Sequence, residues 1–324
     1  MLNIRENIAL SQHTIYRIGG PARFFIEVKT AEELTEALVF AKDKKAPFFI
    51  LGAGSNILVS ENGFAGLVIH LKDGSVSIDG ERMFVDAGVM MARAVFASVK
   101  AGLTGFEWGV GVPGTIGGSI RGNAGCFGGE VDQILETVRA LEVKSEKLKV
   151  KSTTEFLKLF ELNNTECEFE YRDSIFKRHP EWTILSATFK LKKGDPRKIQ
   201  EKVRSIIFER TAKQDIGTKT CGCIFKNISW EKAGLNKEKL LERFPEFREF
   251  QNRPNLPASF LIDRAGLSGK RIGKVFISPK HANFFVNEGG ASSEEVRQLI
   301  QLAKNEIEKK YGLPIEEEIV YVGF

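Results

Sequence analysis

The amino-acid sequence predicts an α+β fold divided into two or three domains. Its 324 residues exceed the size at which a single hydrophobic core stops growing. Short strand-like runs recur along the whole chain and are interspersed with a few amphipathic helical patterns. Hydrophobic residues make up 42% of the chain and charged residues 27%, which excludes a disordered, collagen-like or coiled-coil protein.

Composition also narrows the class of protein. No run approaches 18 consecutive apolar residues, and residues 1–7 lack a signal-peptide pattern, so we expect neither a membrane span nor secretion. Four cysteines do not make a disulfide scaffold, and we expect free thiols in a cytoplasmic protein. The formal net charge of +5 favours anionic ligands such as nucleotides and phosphates. It does not exclude nucleic acid, but no run of five or six basic residues is present.

The first 60 residues have the pattern of a βαβ unit. A strand is predicted over residues 24–28, followed by the capping-box residues Thr30 and Glu33. The helix that they start has its apolar positions at Leu34, Ala37, Leu38 and Ala41. A second apolar strand over residues 48–51 ends in a glycine loop, residues 52–56.

The middle of the chain is predicted to be rich in short strands. They cover residues 67–71, 76–78, 83–85, 138–143, 148–151, 169–171 and 183–192. Asp79-Gly80 is typical of a hairpin turn, and a helix over residues 90–101 ends at Gly102. Residues 193–196 form a candidate linker and the start of a helix over residues 197–210.

The C-terminal third predicts a further α+β pattern. A short helix over residues 259–265 is closed by Gly266, and strands cover residues 275–277 and 283–286. Ser292 and Glu295 form a capping box for a long helix that reaches Lys310. A last strand is predicted over residues 319–322.

Two glycine-rich segments could bind a ligand. The loop Gly52-Ala53-Gly54-Ser55-Asn56 follows a buried strand, and its successive N–H groups could form an anion-binding nest. It matches neither the Rossmann fingerprint nor a P-loop, and a plain turn is the alternative. Eleven more glycines fall between Gly102 and Gly129. Each costs about 0.5–1 kcal/mol relative to alanine, which indicates backbone lying against a large flat ligand or, alternatively, a packing turn.

Three further segments carry reactive side chains. Cys221-Gly222-Cys223 lacks the second ligand pair of a zinc site, so no metal is expected. Because a thiol with a pKa near ~8.5 is protonated at neutral pH, Cys223 is a candidate proton donor; the alternative is that both cysteines are buried hydrophobes. Arg172 could bind a carboxylate or form a surface salt bridge. Strand alternation would direct one carboxylate of residues 316–318 inward, and His281 lies in a polar segment.

Seven short blocks of the sequence, in order over nearly the whole chain, resemble the UDP-N-acetylenolpyruvoylglucosamine reductase family (MurB), also called UDP-N-acetylmuramate dehydrogenases. The blocks are residues 17–22, 51–58, 111–118, 123–125, 171–174, 222–227 and 280–283, together with Glu318 before the terminal strand. One block alone is weak evidence, whereas seven in the right order are specific. The short spacing between Arg172 and Cys223 resembles the shorter form of the family, which lacks an inserted loop with a tyrosine.

The resemblance implies a three-domain flavoprotein with a vanillyl-alcohol-oxidase-type FAD-binding region. The two FAD-binding subdomains would span residues 1–72 and 73–195, and a UDP-sugar-binding domain would span residues 196–324. The implied activity is the NADPH-dependent reduction of UDP-N-acetylglucosamine enolpyruvate to UDP-N-acetylmuramate, a step of peptidoglycan precursor synthesis that serves cell shape and division. FAD would be bound non-covalently, with NADPH as co-substrate. The expected protein is a cytoplasmic monomer without nucleic-acid or membrane partners.

The resemblance also implies residue roles. Arg172 and Glu318 would meet the negative charge that develops on the substrate carboxylate. Cys223, in place of the serine usual in the family, would donate the proton. The residues implied to bind FAD are Gly52, Ala53, Gly54, Ser55, Asn56, Ile57, Gly111, Pro113, Gly114, Gly117, Gly118, Ser119, Asn123, Gly125 and Arg172. Those implied to bind the substrate are Tyr171, Arg210, Lys213, Lys226, Asn227 and His281, while Asp215 and Ile228 replace prolines of the family.

Two other functions compete with this interpretation. A flavin oxidase of the same superfamily would be reoxidised rapidly by oxygen and would not need NADPH. A non-catalytic protein that binds a nucleotide sugar or RNA, suggested by the isoelectric point of about 8.9, would be colourless. The absorption spectrum and anaerobic bleaching by NADPH distinguish the three.

Overall fold

The structure is a computed structural model that describes residues 2–143, 156–231 and 236–324. Its strands, β1 to β20 in chain order, are Arg5–Ala9, Pro21–Val28, Phe48–Leu51, Ile57–Val59, Phe64–Leu71, Val76–Asp79, Arg82–Asp86, Leu103–Thr104, Gly125–Cys126, Gly129–Glu130, Leu135–Val143, Leu157–Asn163, Trp182–Lys190, Lys192–Lys193, Ile228–Ser229, Asn255–Leu256, Arg271–Ile272, Val275–Ile277, Phe285–Asn287 and Val320–Val322. Its helices, α1 to α8, are Ala31–Asp43, Met91–Lys100, Ile116–Arg121, Ile175–Arg178, Pro196–Lys213, Lys237–Arg243, Ala258–Arg264 and Ser293–Tyr311. The mixture of helices and strands confirms the predicted α+β class.

The chain folds into two compact units that each combine separate stretches of sequence. Unit 1 comprises the described residues of 1–9, 21–55 and 63–212. Unit 2 comprises those of 10–20, 56–62 and 213–324. The division into FAD-binding and substrate-binding domains at residues 72 and 195 stays a prediction, because it concerns ligands and these units are defined by packing.

Unit 1 contains a four-stranded sheet and a five-stranded sheet. In the first, of order β1-β2-β5-β3, the strands β2, β5 and β3 are parallel and β1 is antiparallel. Helix α1 packs on one face, where Leu34 and Leu38 share a core with Phe24 and Ile26. The second sheet, of order β12-β11-β13-β7-β6, is antiparallel throughout and shares a core with α2 and α3. Parallel strands end at one edge of a sheet, so the loop after β3 lies at the edge where ligands usually bind.

Unit 2 is organised around the long helix α8. Both capping-box hydrogen bonds predicted for Ser292 and Glu295 are present, and Gly312 ends the helix with a φ of +68°. The helix shares its core with the antiparallel sheet β17-β18-β19. Strands β20 and β4 form a separate parallel pair.

Most predicted helices and strands are confirmed within a few residues, but one predicted strand and one predicted capping hydrogen bond differ. The predicted strand over residues 169–171 is wrong, because Glu170 and Asp173 instead form an isolated bridge that closes a tight turn. Thr30 caps α1 as predicted, whereas the Glu33 carboxylate accepts a hydrogen bond from the N–H of Lys29, at 2.6 Å, rather than from Thr30. The predicted strand over residues 148–151 lies outside the described residues. Over the described ranges, no helix has the length and hydropathy needed to cross a bilayer.

Candidate active site

The glycine loop after β3 meets the second glycine segment of unit 1. A Cβ added at Gly52 would lie 2.5 Å from Thr115 Oγ1, and one added at Gly114 would lie 3.1 Å from Ser55 Oγ. Gly54 and Gly114 have φ angles of +61° and +132°, which side-chain-bearing residues rarely adopt. The structure therefore brings together two segments that are far apart in sequence. Their close contact is possible because Gly52 and Gly114 have no side chain.

The backbone donors of this loop are available to bind an anion. In the part of the chain that the structure describes, no carbonyl accepts a hydrogen bond from the N–H groups of Ala53, Gly54 or Ser55. By contrast, the N–H groups of Ile116 and Gly117 already donate to protein carbonyls, at 2.8 and 2.9 Å. Successive unused N–H groups form the kind of nest that holds a phosphate. The donor set therefore fits the diphosphate of a nucleotide cofactor.

Other predicted cofactor residues of this segment pack within the protein. A Cβ at Gly117 would lie 2.9 Å from Ala87 Cβ, so this glycine permits a close approach of two backbones. The N–H of Gly118 donates to the N-cap hydroxyl of α3 at 3.4 Å. Ser119 is buried within α3, and Pro113 is exposed.

Asn123 is a structural junction of unit 1. Its φ is +39° and its side chain is 1% exposed. The amide Nδ2 donates to Glu170 O at 3.1 Å and to Glu130 Oε2 at 3.2 Å, and Oδ1 accepts from the N–H of Asp132 at 3.2 Å. Its protein partners therefore hold it beside the turn that carries Arg172.

Arg172 occupies a strained turn and is fixed by a backbone carbonyl. Glu170 and Asp173 close the turn with two reciprocal backbone hydrogen bonds of 3.1 Å. Arg172 itself has a φ of +58°, and its Nη2 donates to Gly125 O at 3.0 Å. Its guanidinium lies 5.3 Å from the ring centroid of Tyr171. A cation is thus held in a defined place, as stabilisation of a developing negative charge requires.

Arg210, a predicted substrate residue, lies in unit 1 near the end of α5. Its side chain is buried, and a Cβ at Gly111 would lie 2.9 Å from its Cδ. Nη2 donates to Cys126 Sγ at 2.9 Å, and the guanidinium lies 5.3 Å from the ring centroid of Phe127. Gly111 therefore accommodates an arginine stem, and Cys126 and Phe127 are neighbours that the sequence did not indicate.

In unit 2, the segment 223–226 is bonded on both sides. The N–H of Ile224 donates to Asn283 O at 2.9 Å, and the N–H of Glu318 donates to Ile224 O at 2.7 Å. Cys223 also forms an isolated bridge with Phe284. The candidate proton donor and the candidate acid Glu318 are therefore on neighbouring backbone segments.

The Asn283 side chain forms hydrogen bonds with both backbone polar groups of Phe225, as a neighbouring strand would. Its Oδ1 accepts from the N–H of Phe225 at 2.9 Å, while Nδ2 donates to Phe225 O at 2.8 Å. Asn283 is 2% exposed, so the amide pair is protected from water. The block of residues 280–283 pointed to this region of the sequence, but Asn283 was not among the predicted site residues.

The two cysteines of the segment 221–223 differ in environment. Cys221 is 1% exposed, and burial raises its pKa far above the ordinary value; the charges of Cys223 and Glu318 add to the increase. Cys223 is only partly buried. The description as a buried hydrophobe therefore applies to Cys221, whereas Cys223 keeps part of its surface exposed.

Asn56 and Ile57, predicted to bind the cofactor, lie in unit 2. The side chain of Asn56 donates to Glu318 O at 3.2 Å, and its backbone carbonyl accepts from Val320 at 3.0 Å. Ile57 begins β4, which pairs with β20. These contacts fix the strand that carries Glu318.

Three predicted substrate residues are partly or fully accessible. Lys226 Nζ lies 3.4 Å from the carboxylate of Glu316. Asn227 Oδ1 accepts from the N–H of Ala258 at 3.1 Å. Lys213 is exposed at the end of α5.

The loop of His281 is organised by Asp215. Ser278 Oγ accepts from the N–H groups of Lys280 and His281, at 3.0 and 3.1 Å, and donates to the Asp215 carboxylate. Burial lowers the pKa of His281, and Asp215 opposes this change. The aspartate therefore supplies an acceptor that the proline expected from the resemblance would lack.

Two family models match the chain. The model of the C-terminal domain of UDP-N-acetylenolpyruvoylglucosamine reductase matches residues 214–322. An FAD binding domain model matches residues 22–150. The two matches cover separate parts of the chain.

The chain is also similar to curated and solved proteins over its full length. It is 35% identical over 322 residues to UDP-N-acetylenolpyruvoylglucosamine reductase of Carboxydothermus hydrogenoformans, covering 99% of this chain and 94% of that protein. The enzyme of the same name from Caldicellulosiruptor bescii is 33% identical over 317 residues, covering 97% and 89%. The solved reductase of Thermus caldophilus superposes with a TM-score of 0.75 at 29% identity, covering 99% and 100%.

Proposed function

The chain belongs to the UDP-N-acetylenolpyruvoylglucosamine reductase family, and we propose that Cys223 is the proton donor of its reaction. The protein is an FAD-dependent oxidoreductase that uses NADPH and serves peptidoglycan precursor synthesis. The loop of residues 52–55 would hold FAD, and the chemistry that the reduced flavin would supply is hydride transfer to the enolpyruvyl group. The residues of this chain would bind the cofactor, orient the substrate and protonate it.

The loop of residues 52–55 would hold the diphosphate of FAD. Its three available N–H groups, of Ala53, Gly54 and Ser55, support this role, because a diphosphate needs several donors pointing to one place. Gly114 and Thr115 pack against the loop and keep it in position. Gly117 and Asn123 contribute through packing, in keeping with their protein neighbours.

Arg172 would stabilise the negative charge that forms on the substrate carboxylate. Its guanidinium is fixed by Gly125 O before any substrate arrives, so little reorganisation is needed during the reaction. Glu318 would assist as an acid or as an orienting partner, and its backbone is fixed by Ile224 and Asn56.

Cys223 would complete the reaction by protonating the carbon next to the carboxylate. The S–H bond breaks and a C–H bond forms, and the resulting thiolate regains a proton from solvent. The observation that carries this proposal is the bonding of segment 223–226 to Asn283 on one side and to Glu318 on the other. A thiol is a stronger acid than the hydroxyl of serine, so the cysteine is competent for this step.

Small molecules are the substrates of the family enzymes, and we propose that this chain binds no nucleic acid and no membrane. We also propose that it acts as a monomer in the cytoplasm.

The test is an anaerobic stopped-flow measurement of both half-reactions. With Cys223→Ala, NADPH should still reduce the flavin within about twofold of the normal rate. Reoxidation by UDP-N-acetylglucosamine enolpyruvate should slow by about 10²–10⁴-fold, which is the usual contribution of a general acid. Cys223→Ser should restore much of the rate. Cys221→Ala, which removes the buried thiol two residues away, is the matched control.

Equal losses in the two half-reactions would argue against proton donation by Cys223. Fast reoxidation by oxygen without need for NADPH would favour the flavin oxidase. Protein that stays colourless after incubation with FAD would favour a non-catalytic binding protein.

A further inference from the structure

The burial of Arg210 requires specific partners. The side chain is 7% exposed, although arginine is almost never this buried unless its charge and donors are engaged. Its partners in unit 1 come from a hairpin far away in the sequence, residues 125–130. A residue held in this way has one preferred orientation.

The hairpin is shaped to reach the arginine. Strand β9 pairs with β10, and the two residues between them, Phe127 and Gly128, both have positive φ angles, of +50° and +79°. A Cβ at Gly129 would lie 2.2 Å from Trp108, so the hairpin packs directly on this ring. The tight turn places Phe127 beside the Arg210 guanidinium.

Cys126 is oriented by two hydrogen bonds. Its thiol donates to Trp108 O at 3.0 Å, and its sulfur accepts from Arg210 Nη2 at 2.9 Å. Because the proton of the thiol is directed to the carbonyl, the sulfur lone pairs remain for the guanidinium. Gly111 leaves the space that Arg210 Cδ occupies, because a Cβ added at Gly111 would lie 2.9 Å from that atom.

The same hairpin also fixes the catalytic candidate Arg172. Gly125 O accepts from Arg172 Nη2 at 3.0 Å. Burial raises the pKa of Cys126, and the charges of Arg210 and Arg172 both oppose this increase. Two adjacent residues, Gly125 and Cys126, therefore anchor two arginines.

We propose that the hairpin of residues 125–130 positions Arg210 for binding an anionic group of the substrate, with Cys126 and Phe127 as the positioning residues. This inference rests on the proposed function only in the identity of the anionic substrate. A guanidinium carries five N–H donors in a planar fork, whose geometry suits a carboxylate or phosphate group. Arg210, not Cys126, contacts the ligand.

A double-mutant cycle tests the positioning role. Cys126→Ala should raise the KM for UDP-N-acetylglucosamine enolpyruvate about tenfold, the equivalent of one hydrogen bond to a charged group. The rate of flavin reduction by NADPH should stay within about twofold. In an Arg210→Met background, Cys126→Ala should change KM by less than about twofold, because the residue through which it acts is gone.

Two further variants make the cycle specific. Cys126→Ser keeps a donor and an acceptor and should recover part of the affinity for the enolpyruvyl substrate. Phe127→Leu should raise the KM for that substrate without changing the rate of flavin reduction by NADPH. Cys167→Ala is the matched control, since it removes a buried thiol from the core of the same unit. An undiminished effect of Cys126→Ala in the Arg210→Met background would overturn the proposal.

A second measurement does not depend on turnover. The pH profile of Cys126 alkylation by iodoacetamide, followed by mass spectrometry of the peptide, should shift to higher pH in Arg210→Met, because the guanidinium lowers the pKa of this thiol. No shift would overturn the contact itself. A protein that shows the shift but never reduces the enolpyruvyl compound would confirm the contact between Arg210 and Cys126. That result would refute the proposed function instead.

Discussion

The contact between Gly52 and Thr115 makes a sharp prediction about FAD binding. In Gly52→Ala the new Cβ would lie 2.5 Å from Thr115 Oγ1, closer than real Cβ contacts allow. The hydroxyl must move, and it also caps α3 by accepting from Gly118. Overpacking costs about 1–3 kcal/mol, and loss of a cap costs about 1 kcal/mol.

This cost should be measurable as a loss of FAD affinity. If the loop of residues 52–55 is displaced, 1–3 kcal/mol corresponds to an increase in Kd for FAD of about 5- to 150-fold. Titration of apoprotein with FAD, followed by quenching of flavin fluorescence, gives Kd. The urea midpoint of the apoprotein reports how much of the cost falls on the fold.

Thr115→Ala provides the control because it removes the atom in conflict. Without Oγ1, the nearest atom to the new Cβ is Thr115 Cβ at 3.5 Å, an ordinary contact. Gly52→Ala should therefore cost little in the Thr115→Ala background. Additive effects of the two substitutions would refute the steric explanation and the pairing of the two glycine segments.

Three further predictions concern stability and ionisation. Burial disfavours the charge of Glu107, but hydrogen bonds from protein donors outweigh it and lower its pKa below 4.5. Because the pKa of Glu107 is lower in the folded state, its ionised carboxylate stabilises the fold above pH 4.5, and this stabilisation is lost as the pH falls through the folded-state pKa. Glu107→Gln should therefore flatten the decline of the urea midpoint in acid. Asp215→Asn should lower the pKa of His281 further, as an NMR titration of the ring would show; an unchanged titration would exclude the electrostatic contact. Asn283→Ala leaves two buried backbone groups without partners and should lower the free energy of unfolding by about 2–4 kcal/mol in denaturant titrations, whereas a loss below about 0.5 kcal/mol would contradict its structural role.

The local features of the fold were predictable from the sequence. The capping box of Ser292 and Glu295 and the helix that follows depend on residues within a few positions of each other. The position of the glycine loop after β3 follows in the same way from an apolar run and two glycines. Such patterns involve residues that are close together in the sequence, so they can be identified from the sequence alone.

The parts of the site that depend on distant residues were not predictable. Nothing near Arg210 in the sequence indicates Cys126, and nothing near Phe225 indicates that Asn283 completes its hydrogen bonds. The predicted strand at residues 169–171 failed because a bridge between Glu170 and Asp173 turned the chain sharply. Tertiary contacts of this kind override local propensity and leave no periodic signal.

Unit 2 is built from three separate stretches of the sequence, and this limits which fragments of the enzyme can fold alone. Its core includes Tyr16 and Ile18 from the start of the chain and Leu58 from a short excursion before β5. A recombinant fragment cut at residues 214 and 322, the limits of the C-terminal family match, would omit these side chains and the partner strand of β20. It would expose apolar surface and an unpaired strand edge, so attempts to study the substrate half in isolation should carry both N-terminal segments grafted alongside it.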